Sequence, residues 1–145
     1  MEEISKSLNK FLSDLNVFYR KLQNYHWNIV GKDFFQIHAK LEEYYDEINE
    51  QIDEVAEHIL MIGYQPLGTM KDYLSIATIE EAKNEKIQDK EVFEKIIKDY
   101  ETLLSNAICI KEKADEKKAY ATSSFIDEYI LYYTKTLWML NQMMQ

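Results

Sequence analysis

Residues 26–57 read HWNIVGKDFFQIHAKLEEYYDEINEQIDEVAE and contain two of the chain's three histidines, His26 and His38. From Phe34 onward the apolar residues Phe34, Leu41, Tyr45, Ile48, Ile52, Val55, Ile59 and Ile62 fall at three- and four-residue steps, the spacing of one face of a long amphipathic helix. His38 fills the missing step between Phe34 and Leu41. An imidazole inside an apolar stripe needs a hydrogen bond or a metal, because an unpartnered buried polar group costs about 1–3 kcal/mol.

On the same helix Asp53 and Glu57 stand at i, i+4, so both carboxylates can converge on one ion. They cannot meet His38 of their own chain, since fifteen helical residues at about 1.5 Å each span roughly 22 Å. Two copies of the helix packed antiparallel about a two-fold axis put position 38 of one opposite position 53 of the other, with the axis crossing between Tyr45 and Asp46; an isologous dimer supplies that pairing by symmetry. His26 joins the group if the chain reverses at Gly31-Lys32, which places residues six before and six after the turn side by side. The expected site has two histidines and two carboxylates shared between subunits, a donor set that suits Fe(II), Zn(II) or Mn(II).

The rest of the chain repeats the helical period. Ile4, Leu8, Phe11, Leu15, Phe18, Leu22, Tyr25 and Ile29 mark a first helix ending near Gly31; Asp33 with Gln36 reads as a capping box opening the second, which runs to Gly63. Residues 63–87 hold the remaining Gly and Pro and form a long crossover, in which Thr69 and Asp72 can cap a short helix through about Ser75. A third helix starts near Asp89, carries Val92, Ile96, Tyr100, Leu103, Ala107, Ile110 and Ala114, and closes in the charged run 111–118, expected to be solvated. A fourth, from about Thr122, carries Phe125, Ile126, Tyr129, Tyr133, Leu137, Leu140 and Met144. The fold class is therefore all-α, one domain over residues 1–145: a four-helix bundle with a short extra helix in the crossover between the second and third helices.

Composition agrees with that plan and narrows the function. Three Gly and one Pro in 145 residues leave little material for turns, and 46% apolar residues suffice for one core. A net charge of −9 and only Lys6 and Lys10 near the start oppose binding to DNA phosphates. One cysteine, Cys109, expected buried or idle, allows no intrachain disulfide; with no signal-like or membrane-spanning stretch, a cytoplasmic protein is the expectation. Phosphate-binding Gly loops, G-x-S-x-G, C-x-x-C and H-E-x-x-H are all absent.

Each candidate ligand has a bland reading of its own: a histidine as cap or core residue, a carboxylate as solvated surface. The residues preceding His26, His38 and His58 by three are Gln23, Phe35 and Val55, so the Glu-x-x-His pairs of an intrachain di-iron bundle are missing. Glu42, one turn after His38, is a further ligand candidate. Trp27 beside His26 is a candidate redox neighbour. His58 lies off the stripe and is expected at the surface, paired with Glu54. A purely structural or signalling helical assembly is the rival reading.

With these residues in hand, the chain resembles the Dps family of mini-ferritins over nearly its whole length. The most specific parts are H-W-N-x-x-G-x-x-F-F-x-x-H from His26 to His38 and D-E-V-A-E from Asp53 to Glu57; YQPLGTMKDYLSIATIEE resembles the family's crossover and KTLWMLNQ its last helix. The resemblance implies a hollow dodecamer in which Fe(II) is oxidised, with hydrogen peroxide as oxidant, at two-fold interfaces between His26 and His38 of one subunit and Asp53 and Glu57 of the next. It also implies ferric storage, with Zn possible in the resting site. The chain departs from the family pattern at Glu42, where many members have Asp, and at KAYAT before the last helix, where many have an acidic G-D-x-x-T pore segment. Asp127 and Glu128 are the candidate substitutes at that pore.

Overall fold

A computed structural model describes residues 1–145. Helix α1 (Glu2–Asn28) and helix α2 (Phe34–Met61) form one antiparallel hairpin; α4 (Asp89–Glu116) and α5 (Tyr120–Met143) form a second. The crossover between them contains α3 (Met70–Ile76). All eight apolar residues of the first stripe and all seven of the third are buried, so these two helices pack as their period dictates.

Helix α2 departs from the expected stripe. Its bundle-facing residues are Ile37, Leu41, Tyr44, Ile48, Gln51, Val55, His58 and Ile59. Phe34, His38, Tyr45, Ile52 and Ile62 are only half-buried. The helix carries two stripes that share Leu41, Ile48, Val55 and Ile59: one turned into the bundle and completed by polar Gln51 and His58, the other running along its flank. Because Gln51 and His58 interrupt the first stripe, the apolar period slides onto the second.

Three local expectations are corrected. His58 is 2% exposed rather than at the surface: its Nε2 lies 2.8 Å from Thr122 Oγ1 and its ring stacks on Phe125 at 4.2 Å. Glu54, its expected partner, instead accepts the Tyr129 hydroxyl at 2.6 Å. Asp33 occupies the N-cap of α2 but makes no side-chain cap bond; the backbone bonds Phe34 N–H to Gly31 O and Ile37 N–H to Asp33 O close that turn instead. Cys109 is exposed. The cap at Thr69 forms as expected, with Asp72 N–H donating to Thr69 Oγ1 at 3.2 Å.

The crossover is tied down by polar groups inside α1. Asp14, fully buried, accepts from the Thr78 and Ile79 backbone N–H groups at 2.6 and 2.9 Å and from Asn106 Nδ2 at 2.8 Å. Asn9 accepts from Leu67 N–H and donates to Gln65 O. Lys21 of α1 and Asp99 of α4 form a buried ion pair at 2.9 Å. One feature has no period to announce it: β1 (Ile29–Val30) pairs in parallel with β2 (Ile87–Gln88), Ile29 opposite Ile87. This two-residue ladder fastens the end of the crossover to the turn between α1 and α2.

Candidate metal centre

The turn that carries the histidines is built around Gly31. Its φ of +142° lies where side-chain-bearing residues are strained, and a Cβ there would stand 3.2 Å from Asp89 Oδ2. The reversal sets His26 and His38 face to face, ring centroids 3.6 Å apart and planes within 10°. His26 Nδ1–H donates to the His38 carbonyl at 2.6 Å, and His38 Nδ1–H donates to the His26 carbonyl at 2.7 Å. A carbonyl can only accept, so both Nδ1 atoms carry protons, and in the neutral ring that tautomer leaves the lone pair on Nε2. Locking the far ring nitrogen in this way orients and tunes a metal-bound histidine.

Around the pair the structure adds one carboxylate and two rings. Glu42 Oε1 lies 3.7 Å from His26 Nε2. Tyr45 meets His26 edge to face at 5.3 Å, and Phe34 stacks on His38 at 4.8 Å. His26 is buried, His38 half-buried and Glu42 exposed. Trp27 is 55% exposed, with the Arg20 guanidinium 5.8 Å from its ring centre.

Asp53 and Glu57 lie on the same unbroken α2, both exposed and in no ion pair of the protomer. At fifteen residues' distance from His38 they stand roughly 22 Å away along the axis, and no three His, Cys, Asp or Glu side chains of one protomer form a metal-holding group. Within one chain, then, the structure sets His26 and His38 face to face, brings Glu42 near His26 alone and leaves Asp53 and Glu57 apart. The donor set fits iron: neutral imidazole nitrogen and carboxylate oxygen are the borderline and hard ligands of that metal. Of the pore candidates, Asp127 is engaged by Lys111 Nζ at 2.8 Å, while Glu128 is exposed.

Sequence reasoning passed over Tyr45 as a site residue, reading it as core; its distance from His26 becomes visible only once the turn is folded. No helix is long and apolar enough to cross a membrane.

Comparison with known proteins agrees with this fold. The family model for the ferritin-like domain matches residues 5–145. "DNA protection during starvation protein 2" of Bacillus anthracis is 39% identical over 96% of this chain and 94% of its own length, and the "DNA protection during starvation protein" of Helicobacter pylori is 30% identical over 95% and 94%. The crystal structure of the Dps protein of Vibrio cholerae, described as a member of a broad superfamily of ferritin-like diiron-carboxylate proteins, superposes with a TM-score of 0.96 at 35% identity, over 99% of this chain and 90% of that one. With the fold and the near-complete coverage in agreement, the chain belongs to the Dps family of ferritin-like proteins.

Proposed function

We propose that this protein oxidises Fe(II), with hydrogen peroxide as oxidant, at sites shared across two-fold dimers and stores the ferric product inside a dodecameric shell, protecting the cell from oxidative damage. The observation that carries this reading is the reciprocal locking of His26 and His38 through Nδ1, which leaves both Nε2 atoms without a hydrogen bond inside the protomer and sets that of His26 3.7 Å from Glu42. Core or capping histidines need only one satisfied nitrogen; two that satisfy each other through Nδ1 and keep Nε2 open are arranged as ligands.

Iron is the substrate here. His26 and His38 bind it through Nε2, Glu42 adds an oxygen donor, and Asp53 and Glu57 of the partner subunit complete the set, bringing negative charge that favours Fe(III) over Fe(II). Few protein donors per ion leave coordination positions for the oxidant. Trp27, at the rim, is positioned to intercept one-electron by-products, and Glu128 rather than the Lys111-bound Asp127 is the better pore carboxylate. Zn(II) competes for the same donors.

The test is anaerobic addition of peroxide to protein loaded with Fe(II). A ferric absorbance rise faster than in protein-free buffer is expected; a rise no faster than buffer refutes the proposal. A structural or signalling assembly without oxidation has no observation of its own in its favour.

A further inference from the structure

Tyr25 of α1 is 2% exposed, and its hydroxyl makes no hydrogen bond to the protein. It lines a polar cavity of about 170 Å³ enclosed by α1, the end of the crossover and the start of α4. Beside it the buried Lys21 pairs with Asp99 at 2.9 Å and has no other partner, so two of the three donors of its ammonium stand free. Burial raises the Asp99 carboxyl, and Lys21, then Lys95, draw it back; Lys95 lines the same cavity. Burial, then the charges of Asp99 and Glu91, hold the Tyr25 phenol well above its ordinary range, so it stays a donor at neutral pH. The inner wall therefore presents donors, with two cations set against one anion.

The mouth of the cavity has the reverse character. Glu80, Glu81 and Glu85 of the crossover and Glu91 of α4 are exposed there, four carboxylates against the single Lys83. Half-buried Ala82 and Ile87 supply the apolar part of the lining.

This layout selects among ligands. Free donors on a buried wall are costly until an acceptor reaches them, which asks for an oxygen-bearing, negatively charged group inside. A simple anion is opposed by the four carboxylates it must pass, and a simple ammonium by Lys21 and Lys95. A metal ion needs ligands that converge, and no three His, Cys, Asp or Glu side chains of the protomer do so. A molecule with a carboxylate at one end and an ammonium at the other meets both walls with the matching charge. We infer that the cavity binds a small zwitterionic amino acid, its carboxylate turned to the Tyr25 hydroxyl and the Lys21 ammonium, its ammonium to Glu91 and the crossover carboxylates, and its methylene carbons to Ala82 and Ile87.

The site is independent of iron chemistry, yet it touches the histidine turn through one residue. Ile87 lines the cavity and also pairs with Ile29 in the two-residue ladder. An occupied cavity ties the crossover to α1 and α4 at once, so amide exchange at Ile87 and Gln88 slows when the ligand is bound.

The experiment is equilibrium dialysis of the assembled, iron-free protein against labelled glycine and γ-aminobutyrate, with acetate and methylammonium as the two half-ligands, and hydrogen exchange read by mass spectrometry over residues 80–90. At least one zwitterion is expected to saturate at one per chain, with both half-ligands weaker by about tenfold or more, the worth of one charge-assisted hydrogen bond. Tyr25→Phe keeps the ring and removes the donor; Glu91→Gln alters an exposed side chain and leaves the fold intact. Each is expected to weaken binding about tenfold and to remove the ligand-dependent protection at 87–88, whereas Glu94→Gln, exposed on the same helix and outside the cavity, changes neither. Acetate or methylammonium binding as tightly as the zwitterions overturns the inference, since one charge then suffices. Failure of both zwitterions to saturate overturns it too and leaves the cavity to water. Binding that neither Tyr25→Phe nor Glu91→Gln weakens lies elsewhere on the protein and counts equally against it.

Discussion

Two crippled chains should repair each other. A His26→Ala, His38→Ala variant lacks the histidine half of every proposed site, and an Asp53→Ala, Glu57→Ala variant lacks the carboxylate half. The reason they must cooperate is the length of α2: it runs unbroken from Phe34 to Met61, and the fifteen residues from His38 to Asp53 cover roughly 22 Å of it. Each parent alone is expected to be nearly inactive. Unfolded together in equal amounts and reassembled, about half of the two-fold dimers pair unlike chains, and each such dimer has one site that keeps all four of these residues and one that keeps only Glu42. Activity should return to roughly a quarter of wild type, measured as the initial ferric absorbance rate per assembled subunit. A reassembled mixture that forms the full oligomer yet stays as dead as its parents refutes the shared site.

Elsewhere the structure sets three further expectations. Burial holds the Asp99 carboxyl above its ordinary range while Lys21 pulls it back, so Lys21→Met, which strands that carboxylate, should cost about 3–5 kcal/mol in denaturant titration; adding Asp99→Leu should recover most of the loss. His58 is held below its ordinary pKa of 6.5 by burial, so the unfolded chain takes up its proton first as the pH falls. Its contribution is fully present above about pH 6.5 and is lost below it, and His58→Gln should flatten the fall of the melting midpoint between pH 6.5 and the acid side; an unchanged slope contradicts this. With −9 per chain, a gel shift at moderate salt without divalent metal should show no DNA complex, and retarded DNA would defeat that expectation.

The helices were legible because their cores are ordinary: Ile4 to Ile29 and Val92 to Ala114 repeat an apolar residue every turn, and nothing in the bundle contradicts the period. The histidine turn was legible for a different reason, since a reversal at Gly31 brings residues six to either side together whatever the detail of the turn. Legibility failed where polar residues took core positions. Gln51 and His58 sit on the inner face of α2 because Tyr133 donates to Gln51 Oε1 and Thr122 partners His58 Nε2; those partners are on α5, dozens of residues away. Asp14 is the same case, a carboxylate on a buried helix face whose donors come from the crossover. A two-residue ladder such as Ile29–Val30 against Ile87–Gln88 is too short to leave any alternation. The placement of Asp53 and Glu57 against a second copy lies beyond one protomer and stands on the symmetry argument.

That small ladder bears on the order in which the molecule assembles. Each helical hairpin closes through a short connection, whereas joining the two requires the crossover to fold back, and closure of a longer loop comes later on entropic grounds. The β1–β2 pairing spans the two hairpins, so amide protection at Ile29 and Ile87 in pulse-labelled exchange should appear with docking and lag that of α1 and α2. His26 and His38 belong wholly to the first hairpin, and their mutual clasp is complete before the second arrives. The nascent chain therefore carries every proposed ligand by residue 62, and only their pairing waits for another molecule.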